Sequence, residues 1–274
     1  MKDINAFITN TKKTMIVDGD LLAYKVTSAL EEPINWGNDQ WTLHCDFAVA
    51  KQIFAQQLHY YMKHTNSGGY LIVFSDAVNF RRKIDKQYKS YRKAIRKPVC
   101  YKPLRDWIIK NYPSKSLKNL EGDDTIGILA TGEYKNKCVI ISGDKDMRTI
   151  PAWHCSIIDN QIEKVDEKLA DYNFCTQVLT GDQTDGYKGC VGVGHVKASR
   201  LLNPKKDLDV NWKAVIEEYI RNGMTVDDAY HQSRLARILR FGEYNLKSKK
   251  PKLWSYLYAK YKNTRKSNGT SNGR

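Results

Sequence analysis

Two aspartates separated by a single lysine follow a short apolar stretch near the middle of the chain. Residues 138–141 are apolar, Ser142-Gly143 is a turn signal, and Asp144 and Asp146 come directly after it. Apolar stretches of this length beside a turn signal are typical of strands buried on both faces of a parallel sheet. Ligands of such sheets bind beyond the carboxyl ends of the strands, where two carboxylates can share a hard cation. Because Asp after a strand is also a common helix cap, this pair alone leaves cap and metal site equally open.

The same order of apolar strand, turn and carboxylate occurs twice more upstream. Residues 14–17 precede Asp18-Gly19-Asp20, and residues 70–74 precede Ser75-Asp76. Between them, residues 46–64 repeat apolar positions at helical spacing. Strands that alternate with helices predict βαβ units and an α/β fold, with a mostly parallel central sheet flanked by helices. We therefore expect the carboxylates to gather at one edge of that sheet.

Further acids lie in two other places. Three occur within residues 121–124, at the predicted start of a helix, where capping needs only one. Asp182 and Asp185 precede a glycine-rich segment, residues 189–194. If these groups converge, carboxylates at this density cannot all stay ionised without bound cations. Oxygen ligands without a His or Cys pattern suit Mg²⁺ or Mn²⁺, and two such ions are the standard device for phosphodiester hydrolysis.

Residues 81–119, called here the basic stretch, carry most of the positive charge. They contain fourteen Lys and Arg against two Asp, a net +12 of the +15 of the whole chain, with aromatic residues such as Tyr88 and Trp107 interleaved. A solvated helical face is one interpretation of a charge run. The scarcity of acids favours a surface that follows phosphates and stacks aromatic rings on bases. We expect a nucleic-acid partner, with an anionic membrane surface as the weaker alternative.

The overall composition indicates an intracellular, cytoplasmic protein without a membrane span. No apolar run approaches the roughly 18 residues that cross a bilayer, and the first residues lack the apolar core of a signal peptide. The six cysteines are scattered, without a Cys-x-x-Cys pair, which argues against a zinc site. Several lie in apolar runs and are interpreted as buried free thiols.

Near residue 165 the pattern changes from strands to helices. We predict a core over residues 1–165 that includes the basic stretch, a helical DNA-binding domain over 166–262, and a polar, disordered tail over 263–274. A further strand is predicted at 155–159, and amphipathic helices at 212–220 and 235–239. The glycine-rich segment reads as the turn of a helical hairpin, whose main-chain amides approach a phosphate at the next helix N-terminus.

As a set, the motifs resemble the phage 5′→3′ exonuclease and flap endonuclease family, which includes the 5′-nuclease domain of bacterial DNA polymerase I. The resemblance covers most of residues 14–202 and implies a PIN/resolvase-like nuclease core, a basic helical arch over 81–119 and a C-terminal helix-hairpin-helix domain. The matching pieces are Val17-Asp18-Gly19, Phe74-Ser75-Asp76, Tyr88-Lys89-Ser90-Tyr91-Arg92, Glu121-Gly122-Asp123-Asp124, Ser142-Gly143-Asp144-Lys145-Asp146, Gly181-Asp182-Gln183-Thr184-Asp185 and the glycines at 189, 192 and 194.

The resemblance also implies roles for individual residues. The ligands of two Mg²⁺ or Mn²⁺ ions would be Asp18, Asp76, Glu121 and Asp123 for the first, and Asp144, Asp146 and Asp185 for the second, with Asp124 and Asp182 in support. The catalytic set would be Lys89 and Arg92, which polarise the scissile phosphate, with Asp76 and Asp144. The DNA contacts would be Arg81, Arg82, Tyr88 stacked on a base, Lys89, Arg92, Gly189, Gly192, Gly194 and Lys197. A K⁺ ion would be held by the main-chain carbonyls of Cys190, Val191 and Val193.

Two departures from the family pattern stand out. Asp20 is an extra acid, either a ligand or a helix cap, and we favour the cap. Gly186-Tyr187-Lys188 changes the entry to the hairpin while keeping its glycines. The leading hypothesis is a monomeric two-metal 5′ nuclease acting on DNA 5′ ends, flaps and duplex, and also on RNA in RNA·DNA hybrid. The alternatives are a PIN-like ribonuclease and a DNA-binding protein without catalysis.

Overall fold

The computed structural model describes residues 12–262, so the predicted tail at 263–274 lies outside the described residues. The strands are β1 (Thr14–Asp18), β2 (Glu32–Asn35), β3 (Trp41–His44), β4 (Gly69–Val73), β5 (Ser114–Lys115), β6 (Cys138–Ser142), β7 (Ala152–Ser156), β8 (Ile162–Val165), β9 (Tyr244–Asn245) and β10 (Lys250–Pro251). The α-helices are α1 (Gly19–Leu30), α2 (Phe47–His64), α3 (Arg81–Ile84), α4 (Tyr101–Asn111), α5 (Gly122–Thr131), α6 (Glu167–Thr180), α7 (His195–Leu201), α8 (Leu208–Arg221) and α9 (Val226–Ala236). Short 3₁₀ helices occupy Tyr91–Ala94 and Lys145–Thr149.

The chain divides into two compact units that exchange segments. Among the described residues, unit 1 contains residues 12–79, 93–165 and 238–250. Unit 2 contains residues 80–92, 166–237 and 251–262. The sequence-based division at residue 165 recurs as one of these boundaries, but two segments are assigned differently. Residues 80–92 fall in unit 2 and residues 238–250 in unit 1.

Unit 1 is built on a six-stranded sheet in the order β5-β4-β1-β6-β7-β8. All neighbours are parallel except β8, which runs antiparallel to β7. The predicted α/β fold with a mostly parallel central sheet is therefore confirmed. Strand β1 lies between β4 and β6, and its register pairs Asp18 with Val73 and Val17 with Ile141. The carboxyl ends of three parallel strands consequently meet at one edge, as expected for an α/β sheet.

The helices of unit 1 cover the sheet with apolar faces. Helix α2 buries Ala50, Phe54, Leu58 and Tyr61, a spacing that keeps one face toward the core. The Asp46 carboxylate caps its first turn by accepting hydrogen bonds from two main-chain amides. The sequence correctly predicted this helix, but it missed the antiparallel hairpin of β2 and β3, whose side chains are mostly exposed.

The basic stretch is not one continuous helical arch. It contains α3, a 3₁₀ turn, α4 and β5, and it is shared between the two units. Lys89 has a φ of 51°, which cannot continue a helix. Pro98 restricts the preceding residue to extended conformations. These two positions explain why the helical arch that the family resemblance implied is divided into shorter elements.

Unit 2 is helical and is organised around buried aromatic rings. Trp212 and Tyr230 are fully buried, and the indole nitrogen donates to the tyrosine hydroxyl over 3.1 Å. The predicted helix at 212–220 is confirmed as part of α8. The helix predicted at 235–239 is wrong, because α9 ends at Ala236 and Arg237 turns extended, with ψ 112°.

The strand predicted at 155–159 is displaced. Strand β7 spans Ala152–Ser156, and Ser156 is followed by a turn that returns the chain into β8. Apolar residues at 157 and 158 suggested the longer strand, but only Ile157 is buried, while Ile158 is 78% exposed. Within residues 12–262, no helix is both long and apolar enough to cross a bilayer.

Candidate active site and nucleic-acid interface

Asp18 lies at the carboxyl end of the central strand and is held by two hydrogen bonds. The main-chain amide of Leu21 donates to its Oδ1 over 3.0 Å, which makes Asp18 the N-cap of α1. The Ser142 hydroxyl donates to its Oδ2 over 2.9 Å. The same hydroxyl accepts a hydrogen bond from the Asp144 amide over 3.1 Å. Ser142 therefore links the carboxylates that follow β1 and β6.

The electrostatic environment of Asp18 disfavours a negative charge. Burial raises the pKa of Asp18 to about 7, and the carboxylates of Asp20 and Asp144 act in the same direction. The hydrogen bonds from Leu21 and Ser142 lower that pKa but do not cancel the effect. A buried carboxylate beside other carboxylates is a group that a cation would stabilise in its ionised form.

Asp20 has a structural role that the sequence did not reveal. Its Oδ2 accepts from the Ser75 amide over 2.7 Å, after the end of β4. Its Oδ1 accepts from the Tyr101 hydroxyl at 2.8 Å and pairs with the Arg105 Nε at 3.0 Å, both on α4. The predicted cap at Asp20 is therefore corrected: Asp18 caps α1, and Asp20 ties α1 to the end of β4 and to α4.

The end of β4 is also tied to the start of α5. The Ser75 hydroxyl accepts from the Gly122 amide over 2.9 Å, and the Asp76 amide donates to the carbonyl of Leu120 over 2.9 Å. Asp76 Oδ2 accepts from the Asn119 amide over 2.7 Å. Asp76 and the acids of residues 121–124 are thus positioned together by local main-chain bonds.

The three acids at the start of α5 divide into different environments. Glu121 is the N-cap and forms a reciprocal capping box with Asp124. Asp124 is fully buried, and its oxygens accept from the amides of Glu121 (3.3 Å) and Leu239 (3.1 Å). Asp123 is half-buried in the first turn. Asp124 therefore holds residues 238–250 against the helix, and its role as a supporting ligand stays a prediction.

Asp144 and Asp146 follow β6, as predicted. Asp144 is exposed and caps the 3₁₀ helix, its Oδ1 accepting from the Asp146 amide over 2.8 Å. Asp146 is half-buried. Asp18, Asp76, Glu121, Asp123, Asp144 and Asp146 all lie in unit 1, at the ends of β1, β4 and β6 or on the adjoining helix.

The donor set of unit 1 suits hard divalent cations in its chemistry. The side chains are carboxylates, without Cys or His among them. Burial is the main cause of the raised pKa of Asp18, and the neighbouring carboxylates of Asp20 and Asp144 add to it. Across residues 12–262, no three acidic, histidine or cysteine side chains already form a closed metal cage. The carboxylates therefore fit divalent ions by their chemical type and by their location at one edge of the sheet.

Asp185, the remaining predicted ligand, binds the predicted catalytic cations in unit 2. Lys89 Nζ lies 3.3 Å from its Oδ2, and Arg92 Nη2 lies 2.9 Å from its Oδ1. The Tyr88 hydroxyl donates to Oδ2 over 3.0 Å, and the Lys89 amide donates to the Asp185 carbonyl over 2.9 Å. Asp182 accepts from the amides of Thr184 and Asp185 and so stabilises the turn that presents Asp185.

Two predicted DNA contacts are buried and need correction. Tyr88 is 2% exposed and packs in the core of unit 2, so its ring is not available to stack on a base. Arg81 is also 2% exposed, and its guanidinium donates to the carbonyls of Leu235 and Arg237 at the end of α9. The last carbonyls of a helix have no main-chain partner within the helix, which explains why the Arg81 guanidinium binds there. Arg82 and Tyr91 are exposed in the same segment.

The glycine-rich segment forms the tight turn that the sequence predicted. Gly189 and Gly192 have φ of 68° and 72°, and a Cβ at Gly189 would lie 2.3 Å from the Gly181 amide nitrogen. The Cys190 amide donates to the Leu179 carbonyl over 2.8 Å. Val191 is exposed, Val193 is buried, and Gly194 precedes α7. Only glycine accommodates the close approach at 189.

A buried glutamate behind this turn was missed by sequence reasoning. The Glu218 side chain is fully buried, and it pairs with Lys197 (2.7 Å) and with Arg221. The Asn222 amide nitrogen donates to Glu218 Oε1 over 2.7 Å. Burial opposes its charge, but the hydrogen bonds from Lys197 and Asn222 leave the pKa of Glu218 lowered. Glu218 thus fixes Lys197, a predicted DNA contact. No sequence signal indicated this, because Glu218 is one of two adjacent glutamates in an amphipathic helix.

Residues 13–176 match the sequence profile of the 5′-3′ exonuclease family, N-terminal resolvase-like domain. The chain is 32% identical over 282 residues to the exonuclease of Escherichia phage T7, covering 89% of this chain and 93% of the relative. It is 30% identical over 283 residues to the exodeoxyribonuclease of Enterobacteria phage T3, with the same coverage.

Solved structures of low identity share the fold. A mutant of the 5′-exonuclease of phage T5 superposes with a TM-score of 0.51 at 13% identity, over 83% of this chain and all of that chain. A phage T5 flap endonuclease in a complex with DNA and metal ions gives 0.52 at 16% identity, over 81% and 92%. The family resemblance drawn from the motifs is thereby confirmed. The chain belongs to the 5′→3′ exonuclease family with a resolvase-like N-terminal domain.

Proposed function

We propose that this protein is a 5′→3′ exonuclease and flap endonuclease that hydrolyses DNA phosphodiester bonds at the carboxylate edge of unit 1. For a member of this family, one structural observation gives the main support for the proposal. Three parallel strands deliver Asp18, Asp76 and Asp144 to a single sheet edge, where the environment already penalises the charge on Asp18. Helix caps alone would not require acids at three neighbouring strand ends.

The proposed cofactors are two Mg²⁺ or Mn²⁺ ions. Their proposed ligands in unit 1 are Asp18, Asp76, Glu121, Asp123, Asp144 and Asp146. Such ions would supply activation of a water molecule and neutralisation of the departing oxygen. The chain itself holds the carboxylates in place through Ser142, Ser75 and the capping box of α5.

The proposed DNA-binding residues lie mainly in unit 2. Arg82, Lys89, Arg92 and Lys197 would bind backbone phosphates, and the amides at Gly189, Gly192 and Gly194 would approach the duplex backbone. Tyr91 replaces Tyr88 as the candidate for base stacking, because its ring is 44% exposed. We propose that the protein acts as a monomer.

A K⁺ ion is the proposed cofactor of the glycine turn, bound by main-chain carbonyls of Cys190, Val191 and Val193. Positive φ at Gly189 and Gly192 gives this segment the tight turn that the proposal requires. Duplex binding in EDTA should weaken when choline replaces K⁺ at equal ionic strength. Equal affinity in both salts would remove the ion from the proposal.

Cleavage assays test the proposal directly. The protein is incubated with a 5′-labelled flap, a nicked duplex, an RNA·DNA hybrid and single-stranded RNA, with Mg²⁺ or with EDTA. We expect Mg²⁺-dependent release of 5′ products from both DNA substrates and from the RNA strand of the hybrid. Failure on both DNA substrates contradicts the proposal. Preferential cutting of single-stranded RNA favours a PIN-like ribonuclease, and DNA binding without any cutting favours the non-catalytic alternative.

Substitution of Asp144 separates catalysis from binding. Asp144→Asn should abolish cleavage while DNA affinity in EDTA is retained, because the change removes a proposed metal ligand and no phosphate contact. Asp39→Asn is the matched control: Asp39 is exposed on the β2–β3 turn, and its φ of 57° is one that Asn also adopts. Lys89→Ala should slow single-turnover cleavage by about 10²–10³, the usual cost of one preorganised electrostatic contact.

The cellular setting of the proposed activity is the host cytoplasm. All six cysteines, at positions 45, 100, 138, 155, 175 and 190, are buried and form no disulfide bond. Thiols in such number without a disulfide bond are typical of a reducing compartment, and DNA substrates with 5′ ends and flaps are found there.

A further inference from the structure

A carboxylate pairs with both of the basic residues, Lys89 and Arg92, that are proposed to bind DNA. Asp185 receives the Lys89 ammonium on Oδ2 and the Arg92 guanidinium on Oδ1. We propose that Asp185 is an internal phosphate mimic, which neutralises this cation pair in the DNA-free protein and releases it to the DNA backbone. The inference rests on the proposed DNA binding by Lys89 and Arg92 and adds a competition for those cations.

The ligand set around Asp185 has the chemistry of an oxyanion site. A tyrosine hydroxyl, an ammonium and a guanidinium are donors that also bind phosphate oxygens. Both oxygens of Asp185 are engaged, and its side chain is only 13% exposed. The side chain of Lys89 is 11% exposed, whereas that of Arg92 is 47% exposed. Arg92 is therefore the cation that DNA can reach first.

The backbone at Lys89 indicates that the arrangement is held under strain. Its φ of 51° lies in the left-handed region, which costs free energy for a residue with a side chain. Two interactions with one partner maintain it: the Lys89 amide donates to the Asp185 carbonyl, and the ammonium pairs with the carboxylate. Exchanging the carboxylate for a phosphate would remove only the second of these.

The exchange predicts an unusual salt dependence of DNA binding. A cation that neutralises a phosphate ordinarily steepens the dependence of log K on log salt by about 0.9, because it releases a counterion. A cation that must leave Asp185 exposes a carboxylate, which recruits a salt cation in turn. The net release from such a residue is near zero. Replacing Asp185 with a neutral residue should therefore steepen the salt dependence of DNA binding, because Lys89 and Arg92 then no longer have to leave a carboxylate.

A mutant cycle in EDTA tests this without any cleavage. Binding of a 5′-flap duplex is followed by fluorescence anisotropy over a series of KCl concentrations. Asp185→Asn should bind roughly threefold to tenfold tighter, with a slope steeper by about 0.9. Asp185→Glu, which keeps the charge, should stay close to wild type. Glu217→Gln, an equal charge change at an exposed residue of α8, should have little effect.

The decisive comparison is made in a background that lacks both cations. In the double variant Lys89→Gln, Arg92→Gln, adding Asp185→Asn should no longer tighten binding, because the carboxylate has nothing left to release. A gain of the same size there would mean general repulsion of DNA and would overturn the proposal. No gain from Asp185→Asn in the wild-type background would overturn it as well.

A second measurement covers the case in which Asp185→Asn does not fold, as judged by its thermal transition. With Asp185 intact, Arg92→Gln should leave the salt slope unchanged, while Arg82→Gln, at an exposed basic residue of the same segment, should flatten it by about 0.9. Equal flattening by both changes contradicts the proposal that Asp185 acts as a phosphate mimic.

Cleavage in Mg²⁺ is measured separately from binding. If the variants bind DNA as expected but no DNA is cleaved, the proposed nuclease function is refuted and this inference stands. If DNA is cleaved but the variants do not bind as expected, this inference is refuted and the nuclease function stands.

Discussion

The hydroxyl of Ser142 connects two of the strand ends at the carboxylate edge of unit 1. It donates to Asp18 and accepts from the Asp144 amide, so it fixes the carboxylates at two strand ends at once. Because its hydrogen bond stabilises the ionised form of Asp18, it also lowers the pKa of that group. Ser142 is a positioning residue rather than a catalytic one.

Replacing Ser142 should therefore change the pH dependence of cleavage. In Ser142→Ala the pKa of Asp18 should rise further, so the acidic limb of the pH–rate profile should move to higher pH. We also expect a loss of about 1.5–3 kcal/mol in unfolding free energy, as for hydrogen bonds to charged groups. Ser156→Ala, directly across in register on β7, is the control. A profile that coincides with wild type would contradict the role.

Asp18 and His154 should have opposite effects on stability as the pH changes. Burial lowers the pKa of His154 to about 4, while the pKa of Asp18 is raised to about 7. Between pH 4 and 6.5 the unfolded chain carries a proton on the imidazole, and the folded protein carries one on the carboxyl. Proton numbers are then equal in the two states, so these groups together leave stability almost independent of pH.

Removing the histidine should expose the contribution of Asp18. In His154→Gln without divalent ions, the folded state binds one proton more than the unfolded state between pH 4 and 7. Stability should therefore fall as pH rises, by at most about 1.4 kcal/mol per pH unit. Urea unfolding at several pH values, compared with wild type, measures this. A variant profile as flat as that of wild type would argue against the raised pKa of Asp18.

At the scale of elements, the contact of α5 with residues 238–250 depends on a missing side chain. A Cβ at Gly127 would lie 2.3 Å from the Leu239 carbonyl oxygen. Gly127→Ala should thus cost about 1–3 kcal/mol through overpacking. The thermal midpoint should fall by roughly 2–4 °C for each kcal/mol. Gly69→Ala is the control, because no atom lies within 4 Å of its Cβ. Equal midpoints for the two variants would contradict the tight contact.

Periodicity and turn signals predicted the elements that carry their own local pattern. The strands before Asp18 and Asp144 are uniformly apolar, and α2 repeats apolar residues at helical spacing, so both kinds of element were predicted correctly. Arg81 and Tyr88 were misassigned because their partners are carbonyls and side chains distant in sequence. The hydrogen bond between Asp124 and the Leu239 amide was not predicted for the same reason. Charge and spacing report exposure on average and do not identify such partners.

At the scale of the whole molecule, the thiols provide a probe of the two units. Cys45, Cys100, Cys138 and Cys155 lie in unit 1, and Cys175 and Cys190 in unit 2. In rising urea with a thiol reagent, labelling read by mass spectrometry should follow the units and not the order along the chain. Cys155 should label with Cys45 and not with Cys175. Joint labelling of Cys155 and Cys175 ahead of Cys45 would refute this.

The exchange of segments between the units has a consequence for how the protein is made. Unit 1 cannot finish folding until residues 238–250 have been synthesised, because Leu239 completes the hydrogen bonding of Asp124 beneath the carboxylate edge. Unit 2 likewise needs residues 80–92, made long before its remainder. A ribosome-bound fragment ending at residue 165 therefore contains every proposed metal ligand of unit 1. It lacks residues 238–250, the segment that contacts helix α5 through the hydrogen bond between Leu239 and Asp124. Each unit is therefore encoded by separated stretches of the gene, and neither can be expressed alone as one uninterrupted segment of the native sequence.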